Sequence, residues 1–300
     1  MSDEGAQPIV AICNPAAGGV GNGAFTAALD VLRSGAEVAV VTLDHPSQLG
    51  EVMSRYAGHK PVVIGGDGSL HTVIQFLYHR RLLDTVTLGL IPMGTGNDFA
   101  RGVGIPLDPV RAAEVVLRGQ ERRLDLLVDD TGGVVVNALH LGVGAQGSRE
   151  AAPLKPRLGR FAYPIGAVIA AFRAQGWLVK VTVDGAVVAD GRRRILMIGV
   201  GNGTSIGGGT PLSPHAVPDD GLVDVMVSFA VGRIARVVYG ILLKLGRHIS
   251  YSQVVTRRGR TVTVSGEAVP LNTDGELTDG VQKRTWRVRP GAWRLTVPRI

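Results

Sequence analysis

"VVIGGDGSL", residues 62–70, decides how the first part of this chain is read. An apolar run ends in Gly65-Gly66-Asp67-Gly68-Ser69, and apolar residues return at helical spacing at Leu70, Val73, Ile74 and Leu77. That pattern is a buried strand, a tight glycine turn and the start of a helix. Glycines let backbone N–H groups approach a ligand closely, and a helix N-terminus favours an anion. A bound phosphate accounts for the glycines. A metal-bridged phosphate accounts for an acid, Asp67, among them. The plainer account is that Asp67 caps its own helix.

The same alternation extends in both directions. PIVAIC (8–13), EVAVVTL (37–43), PVVIG (61–65) and TLGLIPM (87–93) read as strands, and 23–34, 47–57, 69–79 and 108–118 as helices. Near-continuous apolar strands alternating with helices predict a parallel sheet covered on both faces. Loops at the carboxyl edge of such a sheet bind ligands. From about residue 124 the texture changes to short β-like runs: LDLLV, VVVNALHLGV, LVKVTVD, RILMIGVG, LVDVMVS, TVTVSG and WRLTVP. Turn signals separate them, which predicts an antiparallel sandwich-like or barrel-like domain interrupted by helices near 160–174 and 231–246. The expected organisation is a three-layer α/β domain over 1–124 and a mostly β domain over 125–300.

Composition narrows the function classes. Residues 1–120 hold 8 Lys/Arg and 11 Asp/Glu, a net of −3, and residues 121–300 hold 24 and 14, a net of +10. The C-terminal half therefore faces something anionic. Aromatics are only 5% and no nucleic-acid recognition pattern stands out, so a membrane surface is preferred to nucleic acid. No apolar run reaches a membrane span. The polar N-terminus and the lone cysteine, Cys13, point to a cytosolic chain.

Two more glycine-rich loops follow strands. "NPAAGG" (14–19) lacks both the dinucleotide fingerprint and the P-loop lysine. "IPMGTGNDFAR" (91–101) sets Gly94-Thr95-Gly96 after a strand, with Asn97 and Asp98 as candidate caps and Arg101 as a cation. Three such loops would converge on one sheet edge. In the second half, "PHAVPDDGLVDV" (214–225) and "LNTDGELTDG" (271–280) are acidic turns. Each suits either a hard cation or an ordinary Asp-Gly hairpin.

Taken in order, these elements resemble the diacylglycerol kinase catalytic-domain family, which includes bacterial soluble lipid kinases and the sphingosine kinases. The matching elements are NP-x-x-G (Asn14 to Gly18), GGDG (65–68), P-x-GT-x-ND-x-AR (Pro92 to Arg101), Asp125, the GNG to DDG-x-x-DV run (201–225) and DGE (274–276). GGDG alone is shared with NAD kinases and phosphofructokinase-like enzymes; the ordered set carries the resemblance. It implies a nucleotide domain, then a lipid domain, with the active-site cleft between them. It implies an ATP-dependent lipid kinase acting on diacylglycerol or a related lipid alcohol. The competing readings are a catalytically silent lipid- or nucleotide-binding homologue and an NAD kinase.

The resemblance also implies roles. ATP would lie over Asn14, Pro15, Ala16, Ala17 and Gly18, over Gly66, Asp67, Gly68, Ser69, Leu70, His71 and Thr72, and beside Thr42 and Thr95. Asp67, Asp98 and Asp125, with Arg101 nearby, would surround the catalytic Mg2+ through water. Asp274 would be the general base and Glu276 its neighbour at the metal or phosphates. Val217 and Leu222 carbonyls with Asp220 would hold a structural Mg2+. The implied partners are a lipid substrate and an anionic membrane surface bound peripherally by a cytoplasmic protein; a homodimer is compatible with this reading. Where the family usually has GGDGT-x-NE, this chain has Ser69, His71 and Thr72, losing an amide and a carboxylate.

A final expectation concerns "VGRIARVVYGILLKLGRHI", 231–249. Ile234, Val237, Val238, Ile241, Leu242 and Leu245 fall at helical spacing and are expected to pack on the β domain. Arg233, Arg236, Lys244, Arg247 and His248 would form the polar side. The alternative expectation is that this edge, with Arg192–Arg194 or Arg257, Arg258 and Arg260, rests on anionic lipid and opens the cleft to a lipid headgroup.

Overall fold

The computed structural model describes residues 7–13, 23–151 and 175–299. Asn14, Pro15, Ala16, Ala17 and Gly18, and the helix expected near 160–174, lie outside the described residues. The chain forms two compact units, Met1–Asp125 with Gly291–Ile300, and Leu126–Pro290.

The first unit is built on a parallel sheet. Strands β1 (Ile9–Cys13), β2 (Val38–Thr42), β3 (Lys60–Gly65) and β4 (Thr87–Pro92) lie in the order β2-β1-β3-β4. β1 and all of β3 and β4 beyond their first residues are buried, which is why they read as unbroken apolar runs. Helices α1 (Gly23–Gly35), α2 (Leu49–Arg55), α3 (Asp67–His79), α4 (Asp98–Gly102) and α5 (Pro109–Arg118) connect and follow them. The chain runs outward one way through α1 and the other way through α3. Right-handed crossovers then put α1 and α3 on opposite faces, with the order reversing between β1 and β3. α1 packs with α5, and α3 packs on β3. The register aligns Cys13 with Thr42 and Ile64, and Gly65 with Pro92, so the loops after these strands share one edge.

The second unit is antiparallel. After β5 (Gln120–Asp129) come β6 (Val134–Val135), β7 (Ala138–Gly142), α6 (Val143–Ala151), β8 (Val179–Val183), β9 (Ala186–Asp190), β10 (Met197–Gly201) and β11 (Val223–Ser228). Helix α7 (Arg233–Lys244), β12 (Val254–Gly259), β13 (Thr261–Thr273) and β14 (Glu276–Val297) as far as Pro290 complete it. β13 turns the corner between two layers. Its first half pairs with β8 at Val262–Gly266, and its end pairs with β7 at Leu271–Thr273, with register shifts between them. Such bulges bend a strand from one layer into the next. Gly266 sits at the bend with φ 144°, and a Cβ there would meet the Leu178 carbonyl at 2.5 Å. Val179, Val181, Val200, Val225, Val262, Leu271 and Trp286 form the core of this unit.

Four sequence expectations change. α3 begins at Asp67, not residue 69, because Gly66 serves as its N-cap. The run 134–143 is two strands followed by α6, a helix the apolar pattern conceals. The C-terminal run is not part of the second unit: Arg294 and Leu295 of β14 pair in parallel with Thr87 and Leu88 of β4. The outer face of α7 is not packed, since Ile234, Val237, Ile241 and Leu245 are exposed. Among the described residues no helix is long and apolar enough to cross a membrane.

Candidate functional site

In the first unit the GGDG and GTGND loops are fastened together. The Asp67 carboxylate accepts from the backbone N–H of Asp98 and of Phe99, both at 3.0 Å. Asp67 therefore caps the N-terminus of α4. Asn97, expected to cap α4, instead has a left-handed backbone (φ 52°) and clamps Gly94 through both side-chain atoms, at 2.9 and 2.8 Å. Gly66 and Gly94 meet backbone to backbone: a Cβ on Gly94 would lie 2.5 Å from Gly66 Cα. Here the glycines are needed for close approach of two loops.

The first turn of α3 is left open by this arrangement. Its N-cap, Gly66, has no side chain to cap it, and the acid at its first position is engaged with α4. Gly68 is exposed, and Ser69 is half-buried below Gly65. Leu70 and His71 are buried among the core side chains, and the Thr72 hydroxyl donates back to the Gly68 carbonyl at 2.9 Å. Thr42, at the end of β2, and Thr95 are both exposed.

The acids of this unit have definite partners. Asp98 is 3% exposed and receives the Arg101 guanidinium at 3.0 Å, which also donates to the Gly96 carbonyl. Asp125 is 1% exposed and accepts from Gly291 N–H at 2.8 Å. The Trp293 indole N–H donates to the Asp125 carbonyl at 3.1 Å, and its ring lies 5.5 Å from that of Phe99. Asp67, Asp98 and Asp125 thus share one neighbourhood, joined by Phe99 and Trp293. Sequence reading missed both aromatics; their only signal was burial-prone size beside each motif.

The second unit brings two distant motifs to one segment. Asp274 and Gly275 form a two-residue hairpin turn with φ of 48° and 100°, the left-handed backbone that Asp-Gly accepts in such turns. The Asp274 carboxylate accepts three backbone N–H bonds, from Val136 at 2.6 Å, Asn137 at 3.0 Å and Ala138 at 2.9 Å. The GNG loop binds the same segment: Asn202 Nδ2 donates to the Val136 carbonyl at 2.8 Å, and Gly203 N–H to the Asn137 carbonyl at 2.7 Å. Residues 136–138, unremarked in the sequence, hold the DGE and GNG motifs together. Glu276 is exposed at the start of β14.

The 217–224 turn is organised by an arginine. The Asp220 carboxylate accepts from Leu222 N–H at 3.0 Å and pairs with the Arg258 guanidinium, which also lies 3.4 Å from Asp224. Burial pushes the Asp224 carboxyl above the usual carboxylate range, against the pull of Arg258. Val217 is 41% exposed.

Comparison with known proteins fits this geometry. Residues 8–128 match the diacylglycerol kinase catalytic domain, and 137–297 match the YegS C-terminal NAD kinase beta sandwich-like domain. A Stenotrophomonas maltophilia protein named "probable lipid kinase YegS-like" is 36% identical over 248 residues, covering 79% of this chain and 78% of that protein. One of the same name from Pseudomonas aeruginosa PAO1 is 33% identical over 251 residues, 81% of this chain and 78% of the relative. The crystal structure of a diacylglycerol kinase from Bacillus anthracis shares the fold with a TM-score of 0.77 at 23% identity, covering 97% of each chain. With both domains matched in order and both linked loop systems in place, the chain belongs to the diacylglycerol kinase catalytic-domain family of lipid kinases.

Proposed function

We propose that this kinase transfers the γ-phosphate of ATP to a hydroxyl of a membrane lipid, diacylglycerol or a related lipid alcohol. The observation that carries the reading is the Gly66–Gly94 backbone contact beside the open first turn of α3. A helix N-terminus with glycine-bared N–H groups suits phosphate, so the residues present fit a nucleotide. Gly66, Asp67, Gly68 and Ser69 are the phosphate side of the site, with Thr42 and Thr95 on the same strand-end edge. Leu70, His71 and Thr72 support that turn from behind. In this reading ATP also lies over Asn14–Gly18, the segment that follows β1 in the sequence. The unit of Met1–Asp125 with Gly291–Ile300 is then the nucleotide domain and Leu126–Pro290 the lipid domain.

Among the described residues no group of three His, Cys, Asp or Glu could hold a metal directly. In this reading Asp67, Asp98 and Asp125, with Arg101 balancing Asp98, would therefore act on a hard cation that travels with ATP only through water. Magnesium, when bound, neutralises phosphate charge as the phosphoryl group moves. Asp274 takes the proton of the lipid hydroxyl, a contribution of ~10²–10⁴-fold, and Glu276 supports the phosphates or the metal. Val217 and Leu222 carbonyls with Asp220 are the proposed second, structural magnesium site, in competition with Arg258. The basic second half supports peripheral binding to an anionic membrane.

The test is labelled ATP with a total lipid extract, comparing the wild type with Asp274→Asn. Label entering one lipid fraction, and lost in the variant, is expected. ATP binding without labelling of any lipid overturns the reading in favour of a silent binding protein.

A further inference from the structure

Helix α7 carries two apolar faces, and among the described residues only one of them has a partner. Tyr239 is buried, and Ala235 and Leu243 pack beside it against Leu196, Met197, Leu212 and Met226. That face anchors the helix. On the other side Ile234 is 81% exposed, Val237 54%, Ile241 57% and Leu245 61%. At α-helical spacing these four fall within an arc of roughly 80°, so they form one stripe. Isolated exposed apolar residues need no explanation, but a continuous stripe of four large ones marks a contact surface.

The surrounding charge says what it contacts. From Val225 to Gly266 there is no Asp or Glu, while Arg233, Arg236, Lys244, Arg247, Arg257, Arg258 and Arg260 fall in that stretch. Arg233, Lys244 and Arg247 are exposed beside the stripe. A second copy of this chain meeting the stripe would bring like charges together. An apolar stripe bordered by cations matches the boundary between anionic headgroups and acyl chains.

We propose that α7 is a membrane-docking element: Ile234, Val237, Ile241 and Leu245 enter the acyl boundary of an anionic bilayer while Arg233, Lys244 and Arg247 lie among its headgroups. The proposal rests on a lipid as the substrate and adds how the enzyme reaches it. The apolar stripe faces outward, so docking depends on insertion as well as on charge.

Co-sedimentation without ATP, using phosphatidylcholine vesicles with and without phosphatidylglycerol, tests it. Wild type should bind the anionic vesicles at low salt. Ile241→Ser with Leu245→Ser should lower vesicle affinity about 100-fold, roughly tenfold for each buried side chain lost. Ile234→Ser with Val237→Ser should do the same. Both variants should keep the wild-type melting temperature and full activity on detergent-dispersed lipid. Activity on dispersed lipid tests the kinase reading by itself; sedimentation tests the docking face. Undiminished vesicle binding by the variants overturns the proposal, as does wild type that never binds. Loss of folding in both pairs makes the stripe a packing face. Loss of a wild-type dimer with vesicle binding kept makes it a face for a second copy. Either result overturns it.

Discussion

Replacing Asp274 by Asn turns one carboxylate oxygen into an NH2 group and removes the charge. The backbone should tolerate the change, because Asn accepts the left-handed conformation that Asp274 holds at φ 48°. The hydrogen bonds should not. Oδ1 accepts from Asn137 and Ala138, and Oδ2 accepts from Val136. With the amide oxygen in the Oδ1 position, two bonds survive as neutral ones and the new NH2 faces the Val136 N–H. A bond to a charged group contributes about 1.5–3 kcal/mol and a neutral one about 1 kcal/mol. Losing one and weakening two comes to about 4 kcal/mol. Asp274 is half-buried, so water relieves part of this, leaving about 2–3 kcal/mol. In a unit spanning Leu126–Pro290 this lowers the melting temperature by roughly 5–10 °C. Differential scanning calorimetry reads that shift, and lipid phosphorylation reads turnover, which should fall ~10²-fold or more if Asp274 is the base. A variant that melts with wild type would refute the idea that Asp274 anchors residues 136–138. Wild-type turnover would remove it from the chemistry.

Gly94→Ala places a methyl group against the Gly66 backbone, which cannot yield as a side chain would; about 1–3 kcal/mol of stability and much of the nucleotide affinity should be lost, and unchanged ATP titrations would argue against the loop junction as the phosphate site. His140 is fully buried and burial pushes its pKa from 6.5 down to about 4. The unfolded chain binds that proton more readily, so its contribution is complete above pH 6.5 and is lost as pH falls toward 4, about 3 kcal/mol in all. Melting temperatures should drop across that window, and His140→Leu should flatten the slope. At the 217–222 turn, EDTA should lower the melting temperature and magnesium restore it, with Asp220→Ala abolishing the response; a wild type indifferent to EDTA shows that Arg258 and the Leu222 N–H satisfy Asp220 without a cation.

Much of this protein was legible in its sequence because two signals are local. Period and turn chemistry marked β1, β3, β4 and their glycine loops, since buried parallel strands must be apolar and phosphate-type turns need bare backbone. The ordered motifs marked the family. The roles inside the motifs were less legible. Asp67 looked like a cap for α3 or a metal contact, yet its carboxylate holds α4, 31 and 32 residues away. Its partners on α4 are backbone N–H groups, which every residue but proline carries, so no residue type announces them. Val136 and Ala138 were silent for the same reason, since they serve through amides and carbonyls, while Asn137 adds a side-chain bond from its Nδ2 to the Ser205 carbonyl. The parallel pairing of Arg294 and Leu295 with β4 rests on a partner some 200 residues earlier, and strand composition does not name a partner. The stripe on α7 was visible as a spacing, but spacing alone does not tell a core face from an outer one. Only the packing of Tyr239, Ala235 and Leu243 showed which side of the helix the core had already taken, leaving Ile234, Val237, Ile241 and Leu245 to face outward.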